Sequence, residues 1–449
     1  MPPFDAGVPA LVLRLDRNPF HHGTLGAVRS LGRAGVEVHA VVESAASPVV
    51  SSRHLHRAHP VGPGAVGVDG TGFTELLLRV SDRIGAPAVL VPMDDLGAIL
   101  TAEHAPRLAD RYLFPRQVAG VPGALADKSA LAAVCERAGV PYPRTVAPGS
   151  AADAAGAVRA LGLPLVAKWS RPWLLPPAAG LRSTTLVGSA AAVRELYERG
   201  APGGAGLLLQ RYLPDAPDAD WFFHGCFGVR DGRLLAGGTG RKELSWPPRA
   251  GLTAKGRWCP NEEVTAAARR LVAQVGYRGV IDLDFRRDAA DGAYRLLDAN
   301  PRPGAQFRLF TEADGTDVVR ALYRDLTGQP PSPSSSPSSS PSSSSPSPRP
   351  GRPGRVFVAE NYALLSAATV ATAALTPGGR RIPGARRRPP RPAAFGTAGS
   401  GMPGIRTAGI ETAWFAGDDP RPFVAMAAAW LGRGLDKGVR RARRALRPH

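Results

Sequence analysis

The segment Gly279–Arg302, GVIDLDFRRDAADGAYRLLDANPR, is the part of the chain best equipped for chemistry. Two apolar runs flank an Asp-Gly-containing turn at Asp288–Gly292, the pattern of a β-hairpin. Side chains alternate faces along a strand, so Asp282 and Asp284 share one face while Ile281, Leu283 and Phe285 share the other. Asp298 and Asn300 share a face of the second strand, and a loop of about five residues sets Asp284 beside Asp298. Neighbouring carboxylates repel and resist desolvation, so loss of the Asp298 charge is expected to relieve the empty site. A hard dication resolves the same conflict, because carboxylate, amide and phosphate oxygens are the usual surroundings of Mg²⁺. Arg302 follows at once, within reach of a phosphoryl oxygen. The spacing equally fits an exposed acidic hairpin, with Asp282 facing water.

Two lysines have contexts suited to a cleft. Lys128 stands in Asp127-Lys128-Ser129 at a helix start, and Lys168 ends the apolar run Leu165–Lys168. The run LLLQRYL, Leu207–Leu213, meets a polar pair and then Pro214, so its end can offer backbone groups to a heterocycle edge. Arg241 and Lys242, in GRKELSWPPRAG, are candidates for a carboxylate or phosphate, and the bulky Trp246–Pro248 for closing a site. Either lysine taken alone also fits a solvated surface, and LLLQRYL a plain core strand. His54, His56 and His59 cluster in HLHRAH without a nearby carboxylate or Cys, which favours surface residues over a metal site.

These residues need a scaffold. Ala10–Leu15, Val36–Val42 and Ala88–Pro92 read as strands, with helices at Leu25–Ala34 and Phe73–Ile84 between them. Such strand–helix–strand units predict an open parallel sheet over 1–120, with ligands beyond the strands' carboxyl ends at Asp16–His22 and Met93–Asp95. From 121 to 328 the reading is α+β, with strands at Leu165–Lys168, Thr184–Val187, Leu207–Tyr212, Trp221–Val229, Gly279–Arg286 and Tyr294–Ala299.

The net charge of +19 is mostly local: residues 331–449 hold 18 Lys and Arg against 5 Asp and Glu. The Pro/Ser stretch 329–351 cannot bury apolar surface and reads as a disordered linker to a basic region, 352–449. That region is expected to be separable from the body. Its arginines are not interleaved with aromatics, so nucleic acid is an unlikely partner on this pattern. The three cysteines, Cys135, Cys226 and Cys259, are odd in number and widely spaced, against a disulfide framework. No stretch reads as a signal peptide or a membrane span, and the default is a cytoplasmic enzyme.

The helix-initial Asp-Lys, the strand-final lysine 40 residues on, the apolar strand into a hinge and the paired acidic strands ending in LDANPR together resemble the ATP-grasp superfamily over about residues 10–328. In detail the chain resembles the carboxylate–amine ligase branch, near D-aspartate ligase-like proteins. The resemblance implies an N-terminal domain, a two-lobed core, ATP and Mg²⁺ (or Mn²⁺) as cofactors, and a carboxylate and an amine as substrates joined through an acyl phosphate. It implies that Lys128 and Lys168 hold phosphates, that Gln210, Arg211, Tyr212 and Leu213 hold adenine, and that Asp284, Asp298 and Asn300 bind the metal. Arg302, with Lys242, would act on the transferring phosphoryl group. The chain departs from the pattern in carrying Asp where the first metal ligands are often Glu, and Arg211 where the hinge often has Glu. PPAAGLRSTT, Pro176–Thr185, replaces a Gly-rich phosphate loop, with Arg182 as a side-chain substitute. A homo-oligomer, a thiol or hydroxyl acceptor and a non-catalytic ATP-binding regulator fit the same residues.

Overall fold

The computed structural model describes residues 4–175, 180–200, 204–247, 251–330, 354–375 and 409–445. The linker reading at 329–351 therefore falls, from residue 331 on, outside the described residues.

Five parallel strands form the first sheet: β1 (Ala10–Leu13), β2 (Val38–Val42), β3 (Arg57–Pro60), β4 (Ala88–Pro92) and β5 (Tyr112–Leu113), in the order β3-β2-β1-β4-β5. Strands β1 and β2 are buried on both faces, as apolar runs in a covered parallel sheet must be. The helices between them, His22–Arg33 and Phe73–Ile84, bury Leu25, Val28, Leu31 and Phe73, Leu77, Val80. The second of these ends at Gly85, whose left-handed backbone (φ 77°) suits glycine. Strand β3 was not expected: RAHP is polar, and an edge position tolerates that.

The second sheet is antiparallel: β6 (Thr145–Val146), β7 (Leu165–Trp169), β8 (Thr184–Val187) and β9 (Leu207–Arg211), in the order β6-β9-β7-β8. Helices Ala151–Leu161 and Ala190–Gly200 supply Ala154, Ala157 and Val193 to a core with Leu165, Ala167, Leu207 and Leu209.

The third sheet has seven strands, β10 (Asp220–Phe227), β11 (Leu234–Trp246), β12 (Leu252–Trp258), β13 (Gly279–Arg287), β14 (Tyr294–Asn300), β15 (Val356–Val358) and β16 (Ile410–Thr412), in the order β14-β13-β10-β11-β12-β15-β16. Ile281, Leu283 and Phe285 pack with Phe223, helix Glu262–Val275 and helix Lys128–Ala138, so the apolar face of the hairpin is buried as its alternation requires. Each such side chain contributes about 1.5–3 kcal/mol, which offsets the cost of holding aspartates on the opposite face.

The expectation of a separable basic region is corrected here. Strand β15 pairs with β12, β16 pairs with β15, and Trp414 is fully buried. Arg29 of the first domain is buried against Asp419 at 2.9 Å and also donates to the carbonyls of Trp414 and Asp419. No helix among the described residues is long and apolar enough to cross a membrane.

Candidate active site

The register of β13 against β14 sets Asp282 opposite Asn300 and Asp284 opposite Asp298. Beyond Asp284 the register shifts, and Phe285 meets Leu296. Leu297 is the extra residue of this bulge, and its carbonyl accepts from Lys168 Nζ at 2.7 Å. The side-by-side carboxylates expected from alternation are thus present. The bulge also draws the β7 lysine to them.

Three lysines meet the two carboxylates. Lys128 Nζ lies 2.6 Å from Asp298 Oδ1, and Lys168 Nζ lies 3.4 Å from Asp298 Oδ2. Lys242 Nζ lies 3.3 Å from Asp284 Oδ1. Burial alone would raise the Asp298 carboxyl, but Lys128 and Lys168 outweigh it and hold it at about 2. Partial burial lowers the Lys242 ammonium, yet Asp284 keeps it raised. Lys168 ends lowered, because burial and the neighbouring Lys128 outweigh its share of Asp298.

Local sequence fixes each lysine. Asp127 caps helix Lys128–Ala138 through the Ser129 N–H at 2.9 Å and also accepts from the Ser129 and Ser170 hydroxyls. That cap aims Lys128, the first helical residue, across at β14. Lys168 is the fourth residue of β7, on a strand buried along most of its length. Lys242 and Arg241 alternate along β11. Lys242 enters the cleft, whereas Arg241 turns away to Asp218 at 3.0 Å, so only the first of that pair reaches the site.

In the exposed-hairpin alternative Asp282 faces water, and the structure corrects this. It is buried, and its Oδ2 pairs with Arg302 Nη1 at 3.0 Å. Arg302 Nε also lies 3.3 Å from Asp95, just beyond β4. The guanidinium therefore bridges the first and third sheets. Burial, then the charge of Asp284, raises the Asp282 carboxyl, against the pull of Arg302 and Lys242. His224 of β10 sits beside it, Nδ1 to Asp282 Oδ1 at 3.5 Å, and burial, Arg302 and Lys242 push its imidazole down to about 3, so it is neutral. Gly304 makes this crowding possible: a Cβ there would stand 1.8 Å from the His224 ring. His224 was not singled out from sequence, and Asp95 only as the end of the Met93–Asp95 stretch, since each gains its partners from positions distant along the chain.

Between the second and third sheets lies a cleft of about 760 Å³, lined by Lys168, Lys242, Asp284 and Asp298, by the apolar Val166, Leu186 and Phe285, and by Gln210–Leu213. Gln210 is buried and donates to Thr145 Oγ1 at 3.0 Å. Arg211 instead sends its guanidinium to Asp288, in the turn of the hairpin, which also takes Arg295 Nε at 2.8 Å. Its side chain is thus committed to a clasp between hinge and hairpin. Leu213 offers its carbonyl to Arg286, itself paired with Asp220 at 2.6 and 2.8 Å. Arg182 is exposed and is not among the residues lining the cleft. Trp246 and Pro247 are half-buried at the end of β11, and Pro248 lies outside the described residues.

The donor set fits a hard dication. Asp284 and Asp298 offer carboxylate oxygens on one face, and Asn300 turns its Nδ2 to Asp282 at 3.3 Å and so leaves its amide oxygen free of that bond. Within the protein alone, lysine ammoniums balance the carboxylates.

The histidines read as a surface cluster are corrected in part. Glu37 supplies the missing carboxylate, 2.9 Å from His39 Nε2 and 3.7 Å from His56 Nε2. His59 is buried against His39, and His54 pairs with Asp418 at 3.0 Å. Cys135 and Cys226 are buried and all three thiols are free.

No family model matches the chain. It is 26% identical over 213 residues to the carbamoyl phosphate synthase large chain of Deinococcus radiodurans, a match covering 45% of this chain and 20% of that protein's length. Among solved structures it is similar to the biotin carboxylase domain of the Hydrogenobacter thermophilus 2-oxoglutarate carboxylase, in complex with MgADP, ADP and bicarbonate. The TM-score is 0.54 and the identity 17%, over 71% of this chain and 70% of that one. It is also similar to the L-amino acid ligase of Bacillus licheniformis, with a TM-score of 0.53 and 13% identity, over 72% and 75% of the two chains. The chain shares the fold of these structures: a parallel sheet, then two further sheets that face each other across the cleft.

Proposed function

We propose that the protein is an ATP- and Mg²⁺-dependent ligase that converts a carboxylate to an acyl phosphate and passes the acyl group to an amine. One observation carries this reading. Asp284 and Asp298 are register partners, and three lysines from three different elements converge on them at the cleft between the second and third sheets.

In this reading the adenine rests among Val166, Leu186 and Phe285, with the end of β9 along its edge. Lys128 and Lys168 exchange part of their contact with Asp298 for phosphate oxygens, and Lys242 does the same from Asp284. Asp284, Asp298 and Asn300 would hold Mg²⁺, which supplies charge neutralisation on the phosphates. Arg302, fixed by Asp282 and Asp95, presents a planar fork to the phosphoryl group as charge moves onto it. Catalysis is then mainly positioning and electrostatics. The bicarbonate complex and the amino acid ligase among the similar structures agree with a carboxylate substrate and an amine acceptor. A cytoplasmic setting, with MgATP at hand and thiols kept reduced, suits this reading.

The test is thermal. MgATP raises the melting temperature through ligand linkage, and Lys168→Ala removes most of the gain. ADP release across pools of carboxylates and amines then identifies the substrates. The absence of any MgATP shift at millimolar concentration would refute the nucleotide assignment.

A further inference from the structure

A second cavity, about 1710 Å³, opens where the first domain faces the lobe that carries Lys168. Its floor is the carboxyl ends of β1 to β4, through Leu15–Arg17, Glu43, Val61 and Asp94–Asp95. Open parallel sheets bind ligands at this edge. The opposite wall is apolar: Trp173, Leu174, Leu175 and Leu181 come from the segment between β7 and β8. Asp95 lines the cavity and also pairs with Arg302, so the cavity abuts the phosphoryl end of the nucleotide cleft.

The polar groups of the floor can be accounted for one by one. Asp94 accepts from the backbone N–H groups of Leu15, Asp16 and Gly97, which makes it structural. Asp95 is engaged by Arg302. Arg14 gives one Nη to the carbonyl of Asn18 and the other to Glu43 Oε2. Three buried atoms remain without a hydrogen-bond partner among the described residues: Glu43 Oε1 and Arg14 Nε, on side chains 6% and 0% exposed, and Asp95 Oδ1, which meets Arg302 only as an ion pair at 3.3 Å. A carboxylate oxygen left buried without a donor is costly, and a ligand N–H removes that cost. Four carboxylates line the cavity against two guanidiniums, and Asp16 stands at its rim, so a cation is preferred there to an anion.

The inference rests on the ligase reading and narrows it. We propose that this cavity takes an ammonium-bearing substrate with a bulky apolar body, as in an amino acid with a large aliphatic or aromatic side chain. Glu43 Oε1 and Asp16 receive the ammonium group. Trp173, Leu174 and Leu181 cover the apolar body, and Arg302 marks the end at which the chemistry occurs.

The experiment uses the full chain, with L-phenylalanine as the probe and MgADP present, followed by calorimetry. Two comparators dissect the probe: 3-phenylpropanoate lacks the ammonium group, and L-aspartate lacks the apolar body. L-phenylalanine is expected to bind, and each comparator to bind about tenfold or more weakly. Glu43→Gln and Trp173→Ala are each expected to weaken L-phenylalanine about tenfold or more, with MgADP affinity unchanged. Trp173 lies on the wall, so its variant keeps the test decisive if loss of the Arg14 partner unfolds the Glu43 variant. The assignment is overturned if L-phenylalanine does not bind, if either comparator binds as tightly, or if L-phenylalanine binding survives in Trp173→Ala. MgADP binding to the unaltered chain reads the nucleotide assignment separately. Its loss refutes the ligase reading, whereas intact MgADP binding without the amine preference overturns the cavity assignment alone.

Discussion

At Asp298 the structure reverses an expectation drawn from spacing. Two adjacent carboxylates suggest that Asp298→Asn relieves repulsion and leaves the empty protein as stable or more so. Instead, Asp298 is clamped by Lys128 at 2.6 Å and Lys168 at 3.4 Å. The asparagine would leave two buried ammoniums facing a neutral amide. Apo stability should therefore fall, by about 1–3 kcal/mol, while ADP release falls by roughly 10³-fold. Melting of the empty protein beside turnover, for both chains, separates the two effects. Normal turnover in Asp298→Asn would remove the metal assignment. Arg302→Lys makes a sharper companion. The guanidinium spans Asp282 and Asp95, and a point charge cannot hold both at 3.0 and 3.3 Å. Turnover should drop roughly 10²-fold with MgADP affinity nearly unchanged. An equal loss of MgADP binding would instead make Arg302 a nucleotide contact.

Among the elements, hinge and hairpin are joined at Asp288, which takes Arg295, Arg211 and the Ala290 N–H. Burial alone would raise this carboxyl, but Arg295, the Ala290 amide and Arg211 together hold it down at about 2. A depressed carboxyl stabilises the fold above its unfolded value near 4 and loses that contribution as pH falls toward 2. Asp288→Asn should therefore cost about 1–2 kcal/mol at pH 7 and almost nothing at pH 2. Denaturant midpoints across that window test the sign, and a constant difference at all pH values would contradict it. The hairpin itself was legible in the sequence, because strict alternation and an Asp-Gly turn dictate both the pairing and the face of each residue. Helix Phe73–Ile84 was legible for a similar reason, with Gly85 stopping it. Strand β3 was not, since RAHP has neither alternation nor apolar length. Nor were the partners of the site residues: Lys168 and Asp298 stand 130 positions apart, and no local rule selects that pair. The alternative with Asp282 facing water fails for the same reason, because its buried carboxylate is paired with Arg302.

For the whole molecule, the question is whether residues 354–375 and 409–445 belong to the body. Composition argued that a Pro/Ser stretch separates them, and composition says nothing of where a three-residue strand will dock. VFV and IET are too short to announce themselves, yet they extend the sheet that carries Asp284 and Asp298. Glu360 accepts from the backbone N–H groups of Ala413, Trp414 and Phe415 and so closes the segment on itself. Trp414 then packs into the main core with Phe357 and Met426. Arg29 is the decisive residue, because its guanidinium is fully buried and is satisfied by Asp419 and by the carbonyls of Trp414 and Asp419. Truncation after Pro330 would expose or strand that charge, bare the edge of β12 and open the cavity left by Trp414. Removing one partner of a buried pair costs about 3–5 kcal/mol, and a buried Trp about as much again. Those losses are comparable to the whole stability of an ordinary domain. The truncated chain should accordingly be insoluble or melt far below the full chain. Trp414→Ala should fall between them, and Arg29→Met, which removes the charge with its partners still present, should be milder than truncation. A truncated chain that melts within a few degrees of the full protein and still binds MgATP would show the segment to be an appendage.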